Sequence, residues 1–296
     1  MELRILKYFL MVAREENITR AANLLHVTQP TLSRQLMQLE EELGVKLFYR
    51  SNHRITLTDE GLLLKRRAQE ITELAERTER EVSRKSGSLM GEIALGCAEA
   101  HNMELLADIM RDFRSRYPLV QYTVYSGIAD DIKERIENGL LDIGFLSEPV
   151  NIDKYEFARL PHKEEWGILT KADSPLAAKA GVTPQDLLGV ALLTPRRDLV
   201  KNELASWFGK LYGKMDFAVS YTMLLNAAVM VRRGVGSALC LNVGNLYGDL
   251  VFVPLKPALK TGTMLVWKKS QRLTPVVEEF IAAAREYVSG ISGDKI

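Results

Sequence analysis

The chain has 296 residues, 47% hydrophobic and 26% charged, the mixture of a globular chain rather than a disordered one and long enough for two or more domains. Its 39 Lys and Arg against 38 Asp and Glu leave a net charge of +1, which excludes a wholly basic, histone-like binder and allows only a local basic surface. Two cysteines, Cys97 and Cys240, are too few for a disulfide framework and lack metal-ligand spacing. No apolar run approaches the ~18 residues of a membrane span, and Arg4 and Lys7 interrupt the first segment, so a cytoplasmic chain is expected.

Residues 1–58 read as short helices followed by an extended pair. In the first helix Leu3, Leu6, Leu10 and Ala13 mark one face, with Ile5, Phe9 and Val12 beside it. Thr19 is the expected cap of a second helix through Ala21, Ala22, Leu24 and Leu25, and His26-Val27 make a turn. Thr28 is placed to cap a third helix with Pro30 in its first turn, where a missing N–H costs nothing. Leu32, Leu36, Leu39 and Leu43 form its apolar stripe, and Gly44 stops it. Residues 46–50 and 54–58, joined by Ser51-Asn52-His53, read as a two-stranded hairpin.

Residues 59–87 lack glycine and proline between Leu62 and Ser86 and read as one long helix. Leu64, Ala68, Ile71, Ala75, Thr78 and Val82 repeat at alternating spacings of 4 and 3, a coiled-coil seam flanked by Arg and Glu, which predicts a dimer. Residues 86–91 form a hinge-like linker. Beyond it, strands at 92–97, 120–126 and 141–146 alternate with helices at 102–116 and 128–139. A second set has strands at 164–170, 190–194, 216–220 and 236–241 with helices at 199–210 and 222–232, and the chain closes with a strand at 263–267 and a helix at 274–289. Such alternation implies mainly parallel sheets, here in two α/β subdomains facing a cleft.

With Leu32 at the buried pole of the third helix, stepping about 100° per residue places Pro30, Thr31, Arg34, Met37 and Gln38 on the opposite face. Thr28, Gln29 and Ser33 lie at its outward N-terminal end. Arg suits the O6/N7 edge of guanine and Gln the N6/N7 edge of adenine, as in a recognition helix in the major groove. The capped helix and tight turn before it complete a helix-turn-helix, and Arg50, His53 and Arg54 on the hairpin suit phosphates or a narrow minor groove. A three-helix protein-interaction module with a solvated third helix is the competing class.

The run from Phe9 to Gly61 closely resembles the winged helix-turn-helix of LysR-type transcriptional regulators. The matching pieces are T-R-A-A before the turn, L-H-V-T-Q-P-T-L-S-R-Q through the third helix, L-E-E-E-L-G-V-K-L-F after it and R-x-x-x-R-I-T-L-T in the wing. The resemblance implies base-edge contacts from Gln29, Pro30, Ser33 and Arg34, and backbone or minor-groove contacts around Arg50 and Arg54. It also implies a linker helix at 59–87 that makes a homodimer, pairing of dimers into tetramers on promoter DNA, and contact with RNA polymerase in an activator. With eight Lys or Arg against six Asp or Glu in residues 1–58, affinity should rest on placed contacts more than bulk charge.

The resemblance further implies a periplasmic-binding-protein-like effector domain at 88–296, with one subdomain from 91–161 and 266–296, the other from 162–265, and a small effector between them. No other cofactor and no metal is expected. Loops after the strands should line the cleft: Ala98, Glu99, Ala100, His101 and Asn102; Ser126 and Gly127; Ser147 and Glu148; Thr194, Pro195 and Arg196; and Asn242. Many members place a hydroxyl after the first strand to grip an effector carboxylate, whereas this chain has Ala98-Glu99-Ala100. An inward Glu99 would oppose an anion, and a Glu99 that merely caps a helix would not. A thiol redox sensor using Cys97 and Cys240 is the alternative function. An enzyme is not expected, since G-x-S-x-G, Walker and H-E-x-x-H motifs are absent.

Overall fold

The computed structural model describes residues 1–50, 55–82, 89–244 and 248–293. The chain divides into two units, Met1–Lys85 and Ser86–Ile296.

In the first unit α1 (Leu3–Glu15), α2 (Ile18–Leu24) and α3 (Gln29–Leu43) precede a hairpin of β1 (Phe48–Arg50) and β2 (Ile55–Leu57), and α4 (Asp59–Val82) follows. The core takes Ile5, Leu6, Phe9 and Val12 from α1, so its buried arc is rotated from the expected Leu3–Leu10–Ala13 line. Phe9 decides this by packing on Phe48 at 5.2 Å between ring centroids. Asn17, rather than Thr19, caps α2, its side-chain oxygen accepting from the Arg20 N–H at 2.9 Å. His26 turns the chain with φ of 54°, and Thr28 holds the extended N-cap position of α3. Its hydroxyl bonds that of Thr31 at 2.8 Å instead of capping the backbone. Leu32, Leu36 and Leu39 are buried, but Leu43 is not; Glu40 turns inward in its place.

α4 belongs to this unit. Ala68 and Thr72 are buried, Lys7 of α1 reaches Glu76 at 2.8 Å, and Leu62, Leu63, Ile71 and Leu74 are exposed. The expected seam is therefore split. Ala68 is used inside the unit, and the exposed apolar stripe is displaced toward Leu63, Ile71 and Leu74. The side chain of Val82 lies outside the described residues, as do Ser86, Gly87 and Ser88 of the linker and the wing tip.

The second unit begins with β3 (Gly91–Cys97), α5 (Met103–Arg116), β4 (Val120–Ser126), α6 (Ala129–Glu137), β5 (Ile143–Ser147) and β6 (Tyr155–Arg159). It continues with β7 (Glu164–Lys171), β8 (Ala191–Pro195), α7 (Asp198–Phe208), β9 (Asp216–Tyr221), α8 (Leu224–Arg232), β10 (Ser237–Leu241), β11 (Leu250–Pro254) and β12 (Lys260–Thr261). β13 (Thr263–Lys268) and α9 (Pro275–Gly293) end it. One sheet runs β4-β3-β5-β13-β6, the other β11-β7-β10-β8-β9 with β12 on β7. The strands β3, β4 and β5 are parallel, as are β8, β9 and β10, but β13 and β7 run antiparallel to their neighbours. Both sheets are thus mixed rather than mainly parallel, and β6, β11 and β12 are additions to the expected strands. Each added strand pairs only at an edge, where no long buried run is needed to announce it.

The chain crosses between sheets at 160–163 and again at Gly262. β13 therefore returns Thr263, Met264 and Leu265 to the first sheet, earlier than the expected boundary at 266. At Gly262 a β-carbon would meet the Glu148 carboxylate, which would have to shift to admit it.

Candidate functional site

Two places gather the residues singled out from the sequence. On α3 the buried leucines force the opposite face outward, and Thr28, Gln29, Pro30, Thr31, Arg34 and Gln38 are exposed while Ser33 is half-buried. The Arg34 guanidinium makes no hydrogen bond or ion pair among the described residues, so its donors face solvent. Gln38 reaches only Glu42, at 3.5 Å. Behind this face, Glu40 accepts from the N–H groups of Leu47 at 2.8 Å and Phe48 at 3.3 Å, locking the start of the hairpin to α3. The side chain of Arg50, and His53 and Arg54 entirely, lie outside the described residues.

The second place is a cleft of about 680 Å³, open mouth included, between the two sheets of the second unit. Of the expected residues, Ala98, Glu99, Gly127, Ser147, Glu148, Pro195 and Arg196 line it. Ala100 is buried in the core of the first sheet, Ser126 and His101 are exposed elsewhere, with His101 beside Glu104 at 3.7 Å, and Thr194 is buried behind Pro195. Asn242 shapes the turn after β10 by accepting from the Gly244 N–H at 3.0 Å. Asn102 is a hinge residue. Its side-chain NH2 donates to the His162 carbonyl at 3.0 Å and to the Thr263 hydroxyl at 2.6 Å, and its backbone N–H donates to Glu164 at 2.7 Å. A buried amide satisfied in this way joins the crossovers and has little left to offer a ligand.

Sequence reasoning missed Trp166, Arg197, Tyr221 and Met223, which also line the cleft. Arg197 is buried at the N-cap of α7 and reaches the other subdomain, donating to the carbonyls of Pro149 at 2.9 Å and Ser147 at 3.4 Å, with Asp130 at 3.6 Å. Its neighbour Arg196 is exposed, so the two arginines divide into a structural tie and a free cation at the rim.

Glu99 enters the cleft and accepts a hydrogen bond from the Leu224 N–H at the start of α8, in the opposite subdomain. Glu148 pairs with Arg159 at 3.2 Å. The first turns of α6 and α7 also border the cleft, through Ile128 and Ala129 and through Arg197. Neither helix has a side-chain cap on its first N–H groups. Within the cleft lining the Ser147 hydroxyl is buried and has no hydrogen-bond partner among the described residues. Helix N-termini, the exposed Arg196 and the carboxylates of Glu99 and Glu148 make a polar rim around the apolar surfaces of Trp166, Val200, Met223 and Leu241.

Comparison with known proteins decides the family. The family model described as "LysR substrate binding domain" matches residues 86–289, and that described as "Bacterial regulatory helix-turn-helix protein, lysR family" matches residues 3–62. The chain belongs to the LysR family of transcriptional regulators. This LysR-family chain is 29% identical to the Hca operon transcriptional activator HcaR of Escherichia coli over 99% of its own length and 100% of the relative's. It is 34% identical to the regulator BsdA of Bacillus subtilis, over 54% of this chain and 55% of that one. Among solved structures, full-length CbnR complexed with its target DNA superposes with a TM-score of 0.74 at 25% identity, covering 97% of this chain and 100% of that one. The helix-turn-helix therefore binds DNA, the α/β unit is an effector-binding domain, and the relatives are regulators rather than enzymes.

The redox alternative finds no support. Cys97 and Cys240 are buried in different sheets, and burial pushes both thiols up to about 12. A sensing cysteine needs an exposed, stabilised thiolate. No helix among the described residues is long and apolar enough to cross a membrane.

Proposed function

We propose that this regulator reads promoter DNA with Gln29, Pro30, Ser33 and Arg34 at base edges, and with Thr28, Thr31 and Gln38 positioning the helix on the backbone. Arg50, His53 and Arg54 of the wing add phosphate or minor-groove contacts. The observation that carries this assignment is the outward face of α3, on which Arg34 presents its guanidinium unpaired. The chain acts in the cytoplasm as a homodimer through the exposed stripe of α4, with dimers pairing on DNA and touching RNA polymerase where transcription is activated. Its one small-molecule partner is an effector in the cleft, held by Ser147, Arg196, the backbone of Gly127 to Ala129 and the apolar wall of Trp166 and Met223. No other cofactor takes part.

Arg34→Ala should weaken binding to a specific operator by roughly 1–3 kcal/mol and relax the base preference at one position. Binding isotherms on operator and scrambled duplexes at fixed salt measure both. An unchanged operator affinity would show that α3 is docked in another orientation.

A further inference from the structure

Met223 occupies the N-cap of α8, where a helix ordinarily takes Ser, Thr, Asp or Asn to bind its first free N–H groups. Methionine cannot accept such a bond. The acceptor comes instead from Glu99, on the loop after β3 in the other subdomain, whose carboxylate takes the Leu224 N–H. A negative charge at that end of the helix is favoured by its dipole. The same lining holds the Ser147 hydroxyl, buried and without a hydrogen-bond partner among the described residues, together with the uncapped first turn of α6 and with Arg197, which reaches the Ser147 carbonyl.

We propose that Glu99 is a tethered anion that fills the N-terminus of α8 and ties the two subdomains together. It leaves the cleft one free anion position, at Ser147 and α6. This deepens the effector reading above, on which it rests, by naming the ligand class: a molecule with a single acidic group and an apolar body. A diacid would bring its second carboxylate against Glu99, where like charges repel.

The test uses thermal melting of the full chain. Trp166, Trp207 and Trp267 all lie in the second unit, so tryptophan fluorescence follows that unit alone. Glu99→Ala should lower its melting temperature by about 2–4 °C, since the bond is part-exposed and the domain large. Sodium acetate should restore the loss by filling the vacated position, and sodium chloride at matched ionic strength should not. Wild type, with its α8 position already filled, should gain less from acetate than Glu99→Ala does. Succinate should stabilise Glu99→Ala more than acetate does and leave wild type unmoved. Glu99→Gln keeps an acceptor oxygen without the charge, and should melt between the two and gain nothing from acetate.

Equal melting of wild type and both variants, acetate acting no better than chloride on Glu99→Ala, or succinate raising wild type as much as the variant would each overturn the proposal. None of these arms needs the natural effector, so their failure is distinct from a blank effector screen.

Discussion

Single carboxylates do unlike work in this molecule according to what surrounds them. Glu40 is buried yet satisfied by two backbone N–H groups, which lets a charge replace an expected leucine in the face of α3 turned toward the hairpin. Glu203 on α7 has a buried oxygen with no hydrogen-bond partner among the described residues, and burial, then the charge of Glu148, raises its carboxyl above the usual range. The folded chain therefore holds that proton more tightly than the unfolded chain. The resulting stability is present below the unfolded carboxyl pKa and is lost as pH rises through the folded value. Glu203→Gln should accordingly stabilise the second unit at neutral pH and change little in acid. Denaturant midpoints followed by tryptophan fluorescence from acid to neutral pH would measure it, and a variant tracking wild type at every pH would disprove the assignment.

At the scale of elements, α4 shows why a heptad count alone does not assign a dimer interface. Its repeat was legible as a seam, but one helix has two apolar sides, and Ala68 is buried in one cluster with the core residues of α1. Leu62, Leu63, Ile71 and Leu74 are left on the surface. If this stripe meets a second copy, the double change Leu63→Glu and Ile71→Glu should turn the dimer into a monomer in light scattering while helix content is kept. Persistence of the dimer would move the interface elsewhere. Helix α3 was more readable, because a stripe of leucines fixes its opposite face by geometry alone; Leu32, Leu36 and Leu39 are all fully buried. The wing was legible as a hairpin, with Phe48 opposite Leu57 and Arg50 opposite Ile55.

For the whole molecule, the two sheets share two crossings, so a ligand bound between them stabilises the entire second unit. An effector at 100 times its dissociation constant should add about 2.7 kcal/mol to that unit's stability. Thermal melting of the full chain against a metabolite panel would detect it, and the gain should shrink in Ser147→Ala or Arg196→Ala. A hit whose effect survives both changes would place the ligand outside the cleft as drawn here.

The helix-turn-helix, its outward face, the long helix and the alternation of α and β in the second unit were all determined by local pattern: leucine spacing, a proline at a helix start, glycine at a helix end, and strands read from short apolar runs. Sequence alone also marked Ala98, Glu99, Gly127, Ser147, Glu148, Pro195 and Arg196 as neighbours of one cleft, because strand ends in such a sheet open on the same side. Only the tertiary structure decided that Asn102 ties the two crossovers together, that Arg197 crosses the cleft while Arg196 is exposed, and that Glu99 caps a helix 125 residues away. Those outcomes depend on which buried polar group finds its partner across the fold, and hydrogen bonds between distant segments leave no periodicity in the chain to read.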